Sequence, residues 1–267
     1  MRIRWIVFSF ITLCMIAGLV AGVFSRSIEA ALTIQKLDGA PQTNATPSPA
    51  TTPKGTPTKT TTPVATSMPG GVNVLAKDSF QRAAQTFWGK ASDGRLWQGD
   101  ANSVEVFSIK GGAGQIDHGQ GAFNAVLGPV SANAEVIFTS SVNHFANGGK
   151  VNSGAALRWV DGNNWYKALI DGTQLQLLSR INGTTKSLAT MPFPAQDGIS
   201  YTLRFRVVGA NLFAKVWLAN QPEPAAWMLT VTDTALTQGM GGIRVLLQNA
   251  SVIRVTSFLE TTVGSTV

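Results

Sequence analysis

Hydrophobic positions along this chain follow three regimes. Trp5–Phe24 is a run of 20 residues without a charge, 41–70 holds hardly an aliphatic side chain and no aromatic one, and from Val72 onward apolar and polar residues alternate in short stretches. Alternation of period two marks strands that bury one face. Strands are predicted at Glu105–Ile109, Phe123–Leu127, Glu135–Ser141, Ala155–Val160, Trp165–Ile170, Gln174–Arg180, Thr185–Met191, Tyr201–Val208, Leu212–Leu218, Met228–Val231, Ile243–Leu247 and Val252–Leu259. The breaks between them carry hairpin chemistry. Asp171-Gly172 and Asn182-Gly183 suit type I′ turns, whose two central residues both need positive φ; Asp161-Gly162-Asn163-Asn164 is a four-residue version, and Gly209-Ala210 offers a fourth turn. No stretch keeps the period of an amphipathic helix. The pattern predicts an all-β domain over 72–262, a two-sheet antiparallel sandwich, with a short tail at 263–267.

The turns also predict register. If Asp171-Gly172 closes a two-residue loop, Tyr166 faces Leu177 and Ala168 faces Leu175, while Trp165 faces Leu178 and Lys167 faces Gln176. The first set reads as core. If Gly209-Ala210 closes the other hairpin, Leu203, Phe205, Val207, Leu212, Ala214 and Val216 share one face, and Arg204, Arg206, Phe213, Lys215 and Trp217 share the other. Adding Trp165, Lys167 and Arg180 from the neighbouring meander predicts one strip of flat rings and hydrogen-bond donors, the chemistry with which a surface binds sugars. These eight residues are the candidate ligand-binding set. A solvated strand face is the competing reading for Arg204, Arg206 and Lys215. Trp88, Trp97, Trp159 and Trp227 read as core or rim packing, and Asp161, Asn163, Asn164 and Asp171 as turn chemistry rather than metal ligands.

The apolar run changes the picture of where this domain sits. At about 1.5 Å of helical rise per residue, 5–24 reaches roughly 30 Å, the thickness of a bilayer's hydrocarbon core. Arg2 and Arg4 precede it and only Arg26 closely follows, so 1–4 is expected in the cytoplasm and the rest outside, at the cell membrane. A cleaved secretory signal competes with this anchor. The anchor is favoured because a signal's apolar region has about 7–15 residues and the exits Ile28-Glu29-Ala30 and Val20-Ala21-Gly22 are poor. Cys14 follows Leu13 where a lipoprotein signal has a small residue, and it is the only cysteine, so the outer part has no disulfide and depends on its core. Residues 25–71 read as a juxtamembrane segment and stalk: 41–70 contains ten Thr and seven Pro, which cannot offset chain entropy by burial.

Net charge narrows the partners. Of the total of +7, residues 1–70 carry six basic and two acidic side chains and 71–267 carry fifteen and twelve, so the domain is only mildly basic. With no basic run and an exported chain, nucleic acid is not an expected partner. Lys110-Gly111-Gly112-Ala113-Gly114 lacks the following Gly-Lys-Ser/Thr of a phosphate loop and reads as a β-turn.

Three segments carry a resemblance: DSFQRAAQTFWGKASDGRLW at Asp78–Trp97, ALRWVDGNNWYKALIDGTQLQLLSRINGTTKSLA at Ala156–Ala189, and YTLRFRVVGANLFAKVWLANQPEPAAWMLTVTD at Tyr201–Asp233. They resemble the concanavalin A-like lectin/glucanase superfamily, and more narrowly laminin G-like bacterial modules. The resemblance implies a jelly-roll sandwich, often with calcium at one rim, and leaves the ligand open because lectins, carbohydrate-binding modules, glycosidases and adhesion domains share it. Related domains close with an acid just before an aromatic residue, where this chain reads Arg254-Val255-Thr256-Ser257-Phe258, so no cofactor is expected and structural calcium is disfavoured.

Catalytic signals are missing from the pattern. No two acids stand two apart on a predicted strand, as in the ExDxE of the glucanases, and His118 and His144 lie in polar loops without HExxH or GxSxG. The expectation is a non-catalytic binding module with a polysaccharide or cell-wall glycan as partner. A structural or protein-adhesion domain is the alternative and a glycoside hydrolase the third.

Overall fold

The structure, a computed structural model, describes residues 72–248 and 250–264. The predicted apolar span at 5–24 and the stalk within 25–71 lie outside the described residues. Among those described, no helix is long and apolar enough to cross a membrane. Sixteen strands and two short 3-10 turns, at Asp100–Asn102 and Asn147–Gly149, make up the regular structure of the described residues. The strands are β1 (Val74–Asp78), β2 (Gln85–Thr86), β3 (Gln98–Gly99), β4 (Phe107–Lys110), β5 (Ala113–Ile116), β6 (Gly121–Ser131), β7 (Ala134–Val142) and β8 (Asn152–Asp161). They continue with β9 (Asn164–Ile170), β10 (Gln174–Ile181), β11 (Thr184–Pro192), β12 (Ser200–Val208), β13 (Asn211–Leu218), β14 (Leu229–Thr232), β15 (Gly239–Leu247) and β16 (Ile253–Thr262).

All strand pairs are antiparallel and fall into two sheets. The first has nine strands in the order β14-β13-β12-β7-β16-β5-β4-β2, with β1 also pairing β16; the second has seven, in the order β11-β10-β9-β8-β15-β6-β3. Their facing sides interdigitate. Leu203, Phe205, Val207, Leu212, Ala214 and Val216 of the first sheet are buried as their shared face predicts, and Tyr166, Ala168, Leu175, Leu177, Ile243 and Val245 come from the second. A hydrogen bond of 2.9 Å between the Ser140 and Ser153 hydroxyls joins β7 to β8 across this core.

Turn residues set most registers as expected. Gly209-Ala210 closes β12 on β13 with Val208 opposite Asn211, and Ile181 pairs with Thr184 around Asn182-Gly183, whose φ values of 49° and 80° suit a type I′ turn. Lys110 pairs with Ala113 around Gly111-Gly112, so the glycine-rich stretch is a β-turn. The β9–β10 hairpin departs from prediction. Ile170 pairs with Leu175, leaving Asp171–Gln174 as the loop, and Trp165 comes opposite Arg180, Lys167 opposite Leu178 and Ala168 opposite Leu177. The cause is the Asp171 carboxylate. Its Oδ1 accepts from the Thr173 and Gln174 amides at 2.9 and 3.0 Å, which opens the loop. The displacement is two residues, so each side chain keeps its predicted face.

One end of the sandwich is organised around Asp78, which is 2% exposed. Its Oδ1 accepts from the Phe80 amide (2.8 Å), Arg82 Nη1 (2.8 Å) and the Ser92 amide (3.1 Å), and its Oδ2 from Trp97 Nε1 (2.7 Å) and Arg82 Nη2 (3.0 Å). Around this group Phe80, Trp88, Trp97, Phe107 and Phe258 pack edge to face or stacked at 4.8–5.9 Å between centroids. Trp88 and Trp97 are core, as expected.

Candidate functional site

The single strip of eight candidates does not exist as one surface. Arg204, Arg206, Phe213, Lys215 and Trp217 lie on β12 and β13 of the first sheet, whereas Trp165, Lys167 and Arg180 lie on β9 and β10 of the second. The two hairpins follow the same pattern in sequence, but β12 pairs with β7 and β9 pairs with β8.

On the first sheet the cationic face is closed by the chain itself. Glu135 of β7 pairs with Arg204 (3.2 Å) and Arg206 (2.6 Å), and Glu223, from the β13–β14 connection, pairs with Arg204 (2.5 Å) and Lys215 (2.6 Å). Trp227 of the same connection lies 5.0 Å from the Arg206 guanidinium and 4.7 Å from Lys215 Nζ, and 5.4 Å from the Phe213 ring. Phe213 and Lys215 are thereby buried, and Trp217 is half-buried. This surface has its counter-charges built in.

The outer face of the second sheet is different. At one end lies a cleft of about 510 Å³ lined by Gly148, Gly149, Asn152, Leu169, Asp171, Thr173, Gln174, Gln176 and Leu178. The β9–β10 loop forms one wall and the Asn147–Gly149 turn another. Gly149 has φ +67°, and a Cβ there would stand 3.2 Å from Asp171 Oδ2, so the two walls meet closely only because the residue is glycine. Asp171 holds the wall together. Beyond the two loop amides, its Oδ1 accepts from the Thr173 hydroxyl (2.8 Å) and its Oδ2 from Gln176 Nε2 (2.9 Å). These donors outweigh the effect of burial, the largest single influence on it, and hold its carboxyl below the ordinary carboxylate range.

Asn152 connects the cleft to the centre of the sheet. Its Oδ1 accepts from Lys167 Nζ at 2.5 Å and from the Leu246 amide at 3.2 Å. Lys167 is only 3% exposed although it lies on the outer side, because its stem runs flat over Gly154, where a Cβ would come within 2.6 Å of Lys167 Cε. Burial, reinforced by the charge of Arg244, pushes the Lys167 ammonium well below its ordinary pKa. Trp165 is also 3% exposed: its Nε1 donates to the Gly162 carbonyl (3.1 Å), and the Arg244 guanidinium sits 4.5 Å from its ring centroid. The indole is a covered ring rather than a bare stacking platform.

Three of the candidates thus share this face, and the cleft adds Asn152, Asp171, Thr173, Gln174 and Gln176, to which pattern reading assigned no ligand role. The alternation in Gln174-Leu175-Gln176-Leu177 carries the signal for the two glutamines, which share the outward face with Arg180. Nothing local points to Asn152 or Arg244, because β8 and β15 reach this face through the sheet order. His118 and His144 are exposed in loops, His144 with Asp197 at 2.7 Å.

No protein-family model matches the sequence, and no curated protein matches it. Among solved structures, the fold is similar to the GH43 protein BlXynB of Bacillus licheniformis, at 14% identity and a TM-score of 0.52 over 70% of this chain and 39% of that one. It is also similar to the xylan β-1,4-xylosidase of Bacillus halodurans C-125, at 12% identity and a TM-score of 0.50 over 69% of this chain and 38% of that one. The carbohydrate-binding module CBM66 of Bacillus subtilis matches at 14% identity and a TM-score of 0.48, over 60% of this chain and 94% of the module. The chain spans less than two fifths of the length of the two larger proteins. At such identities the likeness concerns the fold alone, an all-β sandwich of two antiparallel sheets.

Proposed function

We propose that the domain is a non-catalytic module that binds polysaccharide through the outer face of its second sheet. The observation that carries this reading is the cleft. Sugars present hydroxyls that both donate and accept, around rings whose C–H faces are apolar. Here Asn152, Thr173, Gln174 and Gln176 offer both kinds of partner beside the apolar side chains of Leu169 and Leu178. Gln176 spends one N–H on Asp171, and its carbonyl has no partner among the described residues. A wall held by a buried carboxylate keeps these groups in place before the ligand arrives.

Hydrolysis does not suit the same groups. A glycosidase acid needs a raised pKa, whereas Asp171 is held low, and the raised carboxyl of Glu260 is sealed between the sheets. The fold is read more finely as a concanavalin A-like jelly roll of the laminin G-like kind, in line with the segments Asp78–Trp97, Ala156–Ala189 and Tyr201–Asp233. The test is binding of the full-length protein to a panel of plant, fungal and bacterial polysaccharides, with and without calcium. At least one should bind. The double variant Gln174→Ala/Gln176→Ala should bind it about tenfold or more weakly, roughly the effect of two lost hydrogen bonds, and should melt a few degrees lower while still folding, because Asp171 Oδ2 loses the Gln176 donor. Binding to no polysaccharide, or equal affinity of the double variant, overturns the reading.

The domain is proposed to stand outside the cell, with 5–24 as a retained anchor and 25–71 as stalk. Protease added to intact cells is expected to release a fragment of the domain's size while untreated protein stays with the membrane. Mature protein in the medium with an N-terminus between Val23 and Leu32 overturns the anchor.

A further inference from the structure

Three basic side chains crowd the outer face of the second sheet beside the cleft, and among the described residues none of them forms an ion pair. Arg180 lies directly opposite Trp165 in the β9–β10 pairing, Arg244 lies over the same indole, and Lys167 is two residues along β9 from it. They are near enough to act on one another. Arg244 is brought to a pKa of about 10 by burial first and then by the charge of Arg180, and Arg244 in turn depresses Lys167. Each uses one side-chain hydrogen bond, and each goes to a neutral oxygen: Arg180 to Thr185 Oγ1 at 3.0 Å, Arg244 to Asn124 Oδ1, and Lys167 to Asn152 Oδ1 at 2.5 Å. Arg180 Nε is buried with no partner.

The acids nearby are committed elsewhere. Asp100, whose charge opposes the shift of Arg244, accepts from the Asn124 amide and side chain through Oδ2, and Asp171 is engaged by its own loop. Neither forms an ion pair with the three cations among the described residues. The contrast with the first sheet is direct, since there the same residue types meet Glu135 and Glu223. Like charges gathered in a partly desolvated trough cost free energy unless an anion completes them.

We infer that Arg180 and Arg244, with the buried Lys167 beside them, form a seat for the oxyanion of an acidic polysaccharide, with the glycan chain continuing into the Gln174–Gln176 cleft. The inference rests on the glycan-binding reading above and adds the charge of the ligand. Two guanidinium groups, Arg244 over the Trp165 indole and Arg180 on the neighbouring strand, suit a planar carboxylate, which takes two parallel N–H bonds, and a sulfate ester offers the same oxygens in tetrahedral form.

Titration of the full-length protein with polygalacturonate, dextran sulfate, a neutral polysaccharide from the panel and single-stranded DNA tests this. Polygalacturonate or dextran sulfate should bind about tenfold or more tightly than the neutral chain, and the preference should shrink severalfold in 0.5 M NaCl. Which of the two binds better identifies carboxylate or sulfate as the group. Arg180→Gln should weaken binding of the acidic chain severalfold more than binding of the neutral chain, and Arg180→Gln/Arg244→Gln should abolish the acidic preference. Because Arg244 covers Trp165, the single Arg180 variant keeps the test valid if the double variant fails to fold.

Neutral and acidic chains bound equally by the wild type, or an acidic preference untouched by Arg180→Gln, overturns the seat while the glycan reading stands. Binding of no polysaccharide at all removes both. DNA bound as tightly as polygalacturonate, with the same loss in Arg180→Gln, also overturns the inference, since it reduces the seat to a general polyanion surface.

Discussion

Asp78→Ala is expected to cost about 3–5 kcal/mol of stability, the range for breaking a buried ion pair on one side. The substitution removes the acceptor of five hydrogen bonds at once and leaves Arg82 with no anion beside the Trp88 carbonyl, to which its Nη2 donates at 2.6 Å. Asp78→Asn does not rescue the site. An amide presents one NH₂ group, and both carboxylate positions face donors: Oδ1 the Phe80 amide, Ser92 amide and Arg82 Nη1, and Oδ2 Trp97 Nε1 and Arg82 Nη2. In either orientation an N–H meets an N–H. Trp97→Phe keeps an aromatic ring but loses the N–H bond to the carboxylate and leaves a small cavity where the larger indole packed, so its loss should be about 1–3 kcal/mol, below that of Asp78→Ala. For a domain of this size each kcal/mol moves the melting temperature by roughly 2–4 °C, so Asp78→Ala should melt on the order of 10 °C lower and Trp97→Phe a few degrees lower. Thermal and urea unfolding of the three variants measure this. A loss below about 1 kcal/mol in Asp78→Ala refutes the hub.

That hub joins the two ends of the stretch Asp78–Trp97, the first segment to suggest the fold, and the reason is now physical: Asp78 needs the Trp97 indole N–H, and the chain between them supplies Phe80, Arg82 and Trp88 around the pair. Local chemistry of this kind is legible in a sequence. So were the twelve strands whose alternation or turn pairs announced them. β1 escaped because its buried positions are Ala76 and Asp78, β5 because Ala-Gly-Gln-Ile has no apolar period, and β2 and β3 because two residues cannot show one. The site was legible by halves. Face assignment survived the widened β9–β10 loop, since a displacement of two leaves each side chain where it was, and Trp165, Lys167 and Arg180 do share a surface. Sheet membership was not legible, because whether a hairpin joins β7 or β8 is decided by long-range pairing. For the same reason the partners that neutralise Arg204, Arg206 and Lys215 stayed hidden: Glu135 arrives on β7, and Glu223 and Trp227 arrive in a connection with no strand pattern. Arg244, which covers Trp165, comes from β15 on the far side of β8.

Glu260 should make the domain lose stability as pH rises. It projects from β16 of the first sheet toward Gly128 and Gly241 of the second, is 0% exposed, and among the described residues neither carboxyl oxygen accepts a hydrogen bond of good geometry, the Gly241 amide acting on it only weakly. A Cβ on either glycine would come within 2.6 Å of the carboxyl group, so the acid occupies space that small residues leave open between the sheets. Burial raises its pKa from 4.5 to about 8, against the pull of the Gly241 amide and the charge of Arg95. Between those two pH values the folded chain holds a proton that the unfolded chain has released. The contribution is therefore fully present below about pH 4.5 and is lost progressively up to about pH 8, a change on the order of 5 kcal/mol. Lys167 acts in the opposite sense above its own depressed pKa, because there unfolding takes up a proton, so the wild-type profile alone does not isolate Glu260. Glu260→Gln does. The amide has nearly the shape of the protonated acid and cannot ionise, so the variant should be equal to or slightly less stable than wild type at pH 5 and more stable by several kcal/mol at pH 9. Asp93 and Asp171, both held low, lose their contributions only as pH falls below the ordinary aspartate range and do not enter this window. Urea unfolding of both proteins at pH 5, 7 and 9 gives the two slopes. Parallel profiles for wild type and Glu260→Gln mean that the carboxyl is not protonated in the fold, and that the space between Gly128 and Gly241 admits water to an ionised acid.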